Sequence, residues 1–275
     1  MPRTPIPDPV APPTAPLLGQ CVGVMSAKGG DGASGVVANL AAAIALSNRQ
    51  TRVLVMDLSL PFGDVDLFLQ RTPLVHDVSL LCDEVGRLDA SLLELMTEHP
   101  MPNLHLVGSP PSLERYLSLK PDDVVQLLHL ALKQYDWVIL DLGLDPIGLS
   151  MLDSLNQLLV IMTPHVPSVR RAHQLVRLWQ ALESTRTQVS LGLSLHCARS
   201  DIHQADVEAA LGIPVTLVLP RANELLAASL VEGVPAVTLQ PRSAYAQAVC
   251  EWAAQLTGQA NPNTRRTLWQ RFANR

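Results

Sequence analysis

The sequence predicts an α/β protein with a doubly wound, mostly parallel sheet and helices on both faces. Short runs of branched and aliphatic residues alternate along the chain with longer helical patterns. Such runs are typical of parallel strands that are buried on both faces. Polar motifs follow the ends of several runs, which is where ligands bind in open α/β sheets. A chain of 275 residues is long enough to bury a sizeable core in one such domain.

Strands and helices are predicted in alternation. The strands are expected at 21–25, 53–57, 104–108, 137–141, 158–162, 189–195 and 215–219. The helices are expected at 33–46, 78–85, 87–93, 121–134, 168–184, 205–211, 223–231 and 244–256. Pro121 suits the first helical position, Asn223 is expected to cap its helix, and Gly233 is expected to end the same helix.

Three regions are expected along the chain: a proline-rich tail at 1–19, the α/β domain at 20–258, and a basic tail at 259–275. Proline removes backbone donors, so the first region is expected to be extended. The last region carries Leu268, Trp269 and Phe272 among arginines and has no acidic residue. This composition suits either contact with an anionic membrane surface or a disordered, partner-binding tail.

Composition excludes several classes of function. The net charge of −5 argues against nonspecific binding to nucleic acid as the main role. We find neither an apolar run long enough to span a bilayer nor the apolar core of a signal peptide, so a cytoplasmic location is expected. The scattered cysteines have apolar neighbours, which indicates buried free thiols. These cysteines are Cys21, Cys82, Cys197 and Cys250.

A glycine-rich turn joins the first predicted strand to the first helix. In this context glycines let backbone N–H groups crowd toward an anion at a helix N-terminus, so we predict that the turn binds phosphate. The predicted phosphate-binding residues are Lys28, Gly29, Gly30, Asp31, Gly32, Ala33, Ser34 and Gly35. Ser34 takes the position of the hydroxyl that contacts Mg²⁺, whereas Ala33 takes the position where an ordinary P-loop carries lysine. The alternative is a strand–helix turn that binds nothing.

Two aspartates stand at the ends of buried strands, Asp57 after the second predicted strand and Asp141 after the fourth. Strand ends of a parallel sheet meet at one edge, so both carboxylates are expected to face the glycine-rich turn. A carboxylate there can hold Mg²⁺ through water or orient an attacking water. With Ser34 they form the predicted Mg²⁺ site. Capping of a helix or turn is the alternative role of Asp57.

The turn resembles the deviant Walker A loop of the MinD/ParA ATPases, a branch of the P-loop NTPases. The resemblance rests on Lys28, Gly29, Gly30, Gly32, Ser34 and Asn39-Leu40-Ala41. Ala33 and Gly35 depart from the family pattern, and Ser59 replaces a second acid after Asp57. The resemblance implies binding of ATP and Mg²⁺, a homodimer that sandwiches nucleotide, and a Lys28 that reaches across the dimer. Lys28 and Asp57 are therefore the candidate catalytic residues.

The run from Asp57 to Val65, followed by Arg87-Leu88-Asp89 and leucine-rich helices, is similar to the TadZ/CpaE branch of that family. Members of this branch serve the assembly of Flp-type (tight adherence) pili, and many have degenerate P-loops. The resemblance implies a localisation or assembly factor for pilus or type II/IV-like secretion proteins. Such a factor acts at the cytoplasmic face of the inner membrane, with weak or absent ATP hydrolysis.

Three alternatives stay open. The chain is a true ATPase if Lys28 does the work of both lysines. It is a nucleotide-free scaffold if the loop binds nothing. It is a MinD/ParA-like ATPase of another process if it serves cellulose secretion or partition, although the acidic balance disfavours binding to DNA.

Overall fold

The computed structural model describes residues 19–70, 73–181, 187–196 and 200–259, with the backbone alone at His196. In these ranges eight strands form one sheet in the order β3-β4-β2-β5-β1-β6-β7-β8. The strands are β1 Gln20–Ser26, β2 Val53–Leu58, β3 Glu98–Met101, β4 Leu104–Val107, β5 Trp137–Leu142, β6 Gln157–Met162, β7 Gln188–His196 and β8 Val215–Pro220. Neighbouring strands are parallel except for the antiparallel pair β3–β4. The predicted doubly wound, mostly parallel sheet is confirmed.

Helices cover both faces of this sheet. In the described part of the chain they are α1 Ala33–Ser47, α2 Val78–Asp83, α3 Ala90–Leu95, α4 Leu113–Ser118, α5 Pro121–Ala131, α6 Pro146–Ser150, α7 Val166–Ala181, α8 Gln204–Leu211, α9 Asn223–Glu232, α10 Ala236–Leu239 and α11 Ala244–Thr257. Among these residues, no helix combines the length and apolarity needed to cross a bilayer.

Alternation along the strands divides the buried side chains between two cores. On β2, Val53 and Val55 pack into a core with α1 and α11, whereas Leu54 and Met56 pack into a core with α5 and α7. Successive strand residues point to opposite faces, so a strand covered on both faces is apolar throughout. All six residues of β2 are accordingly buried. The sheet is thereby fixed between its helical layers, with the carboxyl ends of β1, β2, β5 and β6 at one edge.

Helix α1 is buried on almost every side, from Ala33 through Ala45 except Ser34. Its many alanines let it fit between the sheet and α11, where a helix of larger residues would not. Asn39, within α1, uses both ends of its amide. Its Nδ2 donates to the carbonyl oxygen of Gly35, and its Oδ1 accepts from the N–H of Val237 in α10. The Asn-Leu-Ala motif thus fastens the first turn of α1 to a neighbouring helix.

Some predicted details are wrong. Helix α5 ends at Ala131, not at residue 134, because the following N–H groups close tight turns that lead the chain into β5. Asn223 does not cap α9, because Ala222 occupies the N-cap position and Asn223 lies inside the helix. The edge strand β3 was not expected at all, since Glu98, His99 and Pro100 lack the apolar alternation of a strand.

The cysteine prediction is confirmed for Cys21, Cys82 and Cys250, which are buried and free. Cys197 lies outside the described residues. Nearly all of both predicted tails also lies outside them, so the tails and the membrane contact stay predictions. Of the tail residues, Gly19 is described and donates its N–H to the carbonyl oxygen of Leu132 at 2.9 Å. Gln259 is also described and accepts a hydrogen bond from Ser47.

Candidate functional site

The glycine-rich loop between β1 and α1 turns twice through backbone conformations that favour glycine. Gly30 has a φ of 90° and Gly32 has a φ of 101°, and L side chains rarely adopt either value. The N–H of Asp31 donates to the carbonyl oxygen of Lys28 at 3.0 Å, which closes the first turn. Ser26 then accepts from the N–H of Ala33 at 3.2 Å, where helix α1 begins. The sequence therefore folds here into a compact loop that opens onto a helix N-terminus.

Several backbone N–H groups of this loop have no acceptor among the described residues. They belong to Gly29, Gly30, Gly32, Ser34 and Gly35. A Cβ atom added at Gly29 or Gly30 would meet nothing within 4 Å, so the loop surface is open there. Unpaired amides at a helix N-terminus form an anion site, since each adds a donor and the helix adds partial positive charge. The loop therefore fits phosphate groups.

The charges of the loop are those that the sequence predicts. Lys28 is exposed at the front of the loop and forms no ion pair with the carboxylates of the described ranges. Ala33 is 5% exposed and adds no charge at the first turn of α1. The groups that the loop offers to an anion are therefore its amides and one front lysine. Whether Lys28 reaches across a dimer stays a prediction.

Asp31 is positioned differently from its neighbours in the loop. Its side chain is 4% exposed and is directed toward the end of β6. Thr163 and Ser168 donate their hydroxyl protons to its two carboxylate oxygens at 3.0 and 2.6 Å. The carboxylate is thus engaged by protein groups, and the main-chain N–H and C=O of Asp31 are bonded to Lys28 and Ser194.

Ser34 and Asp141 meet at the edge of the sheet. The Ser34 hydroxyl donates to Oδ2 of Asp141 at 2.6 Å. The register of β2 against β5 sets Asp57 directly beside Asp141, and each aspartate is 1% exposed. Mg²⁺ prefers hard oxygen ligands, and in phosphate sites it is bound by one or two carboxylates together with the substrate phosphates. The chemistry of this hydroxyl and of these carboxylates therefore fits such an ion.

Asp57 also performs the alternative role that its sequence position allows. Its Oδ1 accepts from the N–H of Ser59 at 3.2 Å, and its Oδ2 accepts from the N–H of Val65 at 3.1 Å. Gly63 lies against the carboxylate so closely that an added Cβ would be 2.1 Å from Oδ1. The carboxylate therefore caps the turn between residues 59 and 65, and this turn covers it.

Burial governs the protonation of both aspartates. Burial, followed by the charge of Asp141, raises the pKa of Asp57 well above its ordinary value. Burial raises the pKa of Asp141 to about 6; the hydrogen bond from Ser34 lowers it in part, and the charge of the nearby Asp64 makes a smaller upward contribution. Two adjacent buried carboxylates without a cation favour their protonated forms. A divalent cation at this position would favour the charged forms instead.

A cleft of about 240 Å³ extends from the loop toward the end of β8. It is lined by Gly30 and Gly32 on one side and by Pro220, Asn223 and Tyr245 on the other. The last three residues also line an adjoining cleft of about 530 Å³. Together the two clefts have room for an organic group attached to a phosphate in the loop.

Sequence reasoning anticipated only part of this cleft. The strand predicted at 215–219 leads to this cleft, because Pro220 at the end of β8 lines it. Asn223 and Tyr245 were not predicted as lining residues, because they are far from the loop in sequence and belong to helices α9 and α11. The one feature of the sequence that could have indicated these two residues is their position near the ends of predicted helices. The structure thus adds these two lining residues to the predicted site.

Comparisons with known proteins agree with this geometry. The crystal structure of a ParA family ATPase from Chlorobium tepidum superposes with a TM-score of 0.84 at 32% identity, covering 88% of this chain and 100% of that one. A MinD protein complexed with Mg-ADP from Pyrococcus horikoshii shares the fold, with a TM-score of 0.73, 20% identity and coverage of 86% and 95%. An ATP-binding protein of Methanocaldococcus jannaschii is 25% identical over 244 residues, 88% of this chain and 89% of that relative. No protein-family model matches the chain.

Proposed function

Because the chain belongs to the MinD/ParA family of ATPases, we propose that it binds ATP with Mg²⁺ beside its glycine-rich loop and hydrolyses ATP slowly or not at all. The cellular role that we propose is a dimeric localisation or assembly factor for Flp-type pilus or related secretion machinery. This factor works in the cytoplasm, peripherally at the inner membrane. The observation that carries the nucleotide proposal is the row of unpaired loop amides beside the Ser34–Asp141 contact.

Each part of the site has a proposed role in binding. The free amides of the loop hold the phosphates, Lys28 adds a positive charge at their outer side, and the cleft toward Tyr245 receives the remainder of the nucleotide. Ser34 would ligate Mg²⁺ directly, and Asp141 would hold it through water, with Asp57 as the neighbouring carboxylate. Bound Mg²⁺ supplies charge neutralisation of the β- and γ-phosphates. Each of these roles depends on groups that the fold already holds in place.

Slow hydrolysis follows from two features of the chain. Ala33 adds no charge where a P-loop lysine would stabilise the charge that builds up on the phosphates. Loss of one preorganised stabiliser of this kind commonly costs on the order of 10²–10³ in rate. The Asp57 carboxylate is covered by Gly63 and accepts hydrogen bonds from two backbone N–H groups. It is therefore poorly placed to orient an attacking water. Binding therefore has better support than turnover.

The pilus role is supported by sequence likeness and by one structural detail. The similarity to the TadZ/CpaE branch includes Phe62 and Gly63 in the segment after β2. Gly63 packs directly on Asp57, so this segment adjoins the proposed Mg²⁺ site. Phe62 is 68% exposed beside it and presents an apolar surface to a partner or to a second copy of the chain.

Calorimetry with ATP and Mg²⁺ on the unmodified chain tests the nucleotide proposal. We expect binding in the micromolar range, with turnover that is near background. The second candidate function is a nucleotide-free scaffold, and the missing charge at Ala33 is the observation that supports it. Absence of binding at millimolar ATP would favour this candidate. Mg²⁺-dependent turnover that Lys28→Ala abolishes would favour the true ATPase instead. The pilus role requires that deletion of the gene removes surface pili and that the unmodified chain restores them.

A further inference from the structure

Asp31 holds the turn from which Lys28 projects. Its Oδ2 accepts from the N–H of Lys28 at 2.9 Å, and its own N–H donates to the carbonyl oxygen of Lys28 at 3.0 Å. Both main-chain polar groups of Lys28 are therefore bonded to one residue. The turn between them includes Gly30 at a φ of 90°, which glycine tolerates but does not by itself enforce. The conformation of the chain at Lys28 thus depends on Asp31.

The same carboxylate is anchored to a second part of the fold. Thr163 and Ser168, which lie at the end of β6 and in the first turn of α7, donate to its oxygens at 3.0 and 2.6 Å. Ser168 also accepts from the N–H of Thr163 at 3.1 Å. On the far side, Ser194 donates to the carbonyl oxygen of Asp31 at 2.7 Å. These bonds connect the turn at Lys28 to three elements that do not belong to the loop.

A buried charge at this position calls for an explanation. Asp31 is 4% exposed, and in the described ranges no lysine, arginine or histidine forms an ion pair with it. Burying a carboxylate is costly unless hydrogen bonds satisfy it, and a negative charge near a phosphate site works against anion binding. An apolar residue of similar size would fill the space without either cost. It could not, however, accept from the N–H of Lys28, and it would leave the hydroxyls of Thr163 and Ser168 without this acceptor.

We infer that Asp31 is a positioning residue that orients Lys28, the only lysine of the loop, toward the nucleotide. The inference rests on the proposed function, in which Lys28 contacts bound ATP. In a loop with alanine at position 33, the benefit of one correctly directed lysine is larger than in a loop with two. Asp31 therefore acts on ATP through Lys28 and does not touch the nucleotide itself.

A double-mutant cycle tests the inference. The dissociation constant of a fluorescent ATP analogue with Mg²⁺ is measured for the unmodified chain, Lys28→Ala, Asp31→Val and the double variant. We expect Lys28→Ala to weaken binding about tenfold in the unmodified chain and less than about twofold in the Asp31→Val chain. The second effect is smaller because a lysine that is no longer oriented contributes little to binding. Asp31→Asn, which keeps one acceptor oxygen, should fall between these values. If Lys28→Ala weakens binding by the same factor in the unmodified chain and in the Asp31→Val chain, the inference is overturned.

A second measurement does not need nucleotide. Hydrogen exchange of the peptide that contains Lys28 is followed by mass spectrometry without ATP, and Asp31→Val and Asp31→Asn should each speed exchange at the Lys28 amide. The matched control is Asp77→Asn, since Asp77 is also buried and caps α2 but lies outside the loop. If the unmodified chain binds no ATP, the proposed function fails. Unchanged exchange at the Lys28 amide in the Asp31 variants would separately refute the positioning role of Asp31. Should Asp31→Val not fold, the Asp31→Asn comparison decides.

Discussion

Ser34 and Asp141 are joined by a hydrogen bond of 2.6 Å, although 107 positions separate them in the chain. The bond connects the first turn of α1 to the end of β5. It places a hydroxyl and a carboxylate beside the unpaired amides of the loop. These are the oxygen ligands that Mg²⁺ takes when it accompanies phosphate.

Ser34→Ala should remove the Mg²⁺-dependent part of ATP binding. The substitution deletes one proposed metal ligand and leaves a residue that favours the helix. We expect the affinity for ATP with Mg²⁺ to fall about tenfold, which corresponds to roughly 1.4 kcal/mol, and the affinity in EDTA to stay unchanged. Calorimetry in both buffers measures this. Ser47→Ala, at the other end of α1, is the control, and an equal loss in both buffers would argue against a metal role for Ser34.

Ala33→Lys should increase turnover if ATP already binds. The new ammonium group would stabilise the charge that develops on the phosphates, and we expect the hydrolysis rate to rise by about 10². Phosphate release at saturating ATP measures the rate. Ala33→Met has a similar length without the charge and is the matched control. A comparable gain in both variants would show that packing, not charge, limits the site.

Gly63→Ala should destabilise the fold around Asp57. The added Cβ would lie 2.1 Å from Oδ1 of Asp57, and that carboxylate is fixed by the N–H groups of Ser59 and Val65. We expect a loss of about 1–3 kcal/mol in the free energy of unfolding, measured by chemical denaturation. Gly86→Ala is the control, because an added Cβ there meets nothing within 4 Å. Equal effects of the two substitutions would contradict the close packing on Asp57.

The titration of His105 should make a destabilising contribution on acidification. Thr97 and Tyr135 lie 3.1 and 2.9 Å from its Nδ1. Burial, then the nearby His99 and Arg52, lowers the pKa of His105 from 6.5 to about 4.

Between these two pH values the unfolded chain binds a proton at His105 that the folded chain does not. The contribution of His105 to stability is therefore complete above pH 6.5 and is lost as the pH falls toward 4. The raised pKa values of Asp57 and Asp141 act in the opposite direction over this range, so the contribution of His105 is measured as a difference. On acidification, the denaturation midpoint of the unmodified chain should fall relative to that of His105→Gln. His173→Gln is the control, and equal slopes in all three proteins would exclude His105 as the source.

Much of the fold was predictable because its signals are local. The apolar runs of β2 and β5, the proline at the start of α5 and the glycine-rich loop each depend on nearby residues alone. The predictions that are wrong concern element ends, such as that of α5, and the capping role of Asn223. The ends of these elements are set by hydrogen bonds and packing contacts outside the element, which no local sequence pattern predicts. The edge strand β3 shows the same limit, since its pairing partner β4 defines it as a strand.

The chemical groups around the loop could be predicted from local sequence alone. The sequence assigns the phosphate loop its glycines and its single lysine, and it places Asp57 and Asp141 at the ends of buried strands. Which of these groups touch depends on the packing of the folded chain. The parallel register sets Asp57 beside Asp141 and brings Ser34 to the latter, whereas Asp31 is bonded to Thr163 and Ser168, away from the open side of the loop. The physical reason is that strand order and register are settled by the packing of the whole sheet, and hydrogen bonds between distant residues follow from that packing.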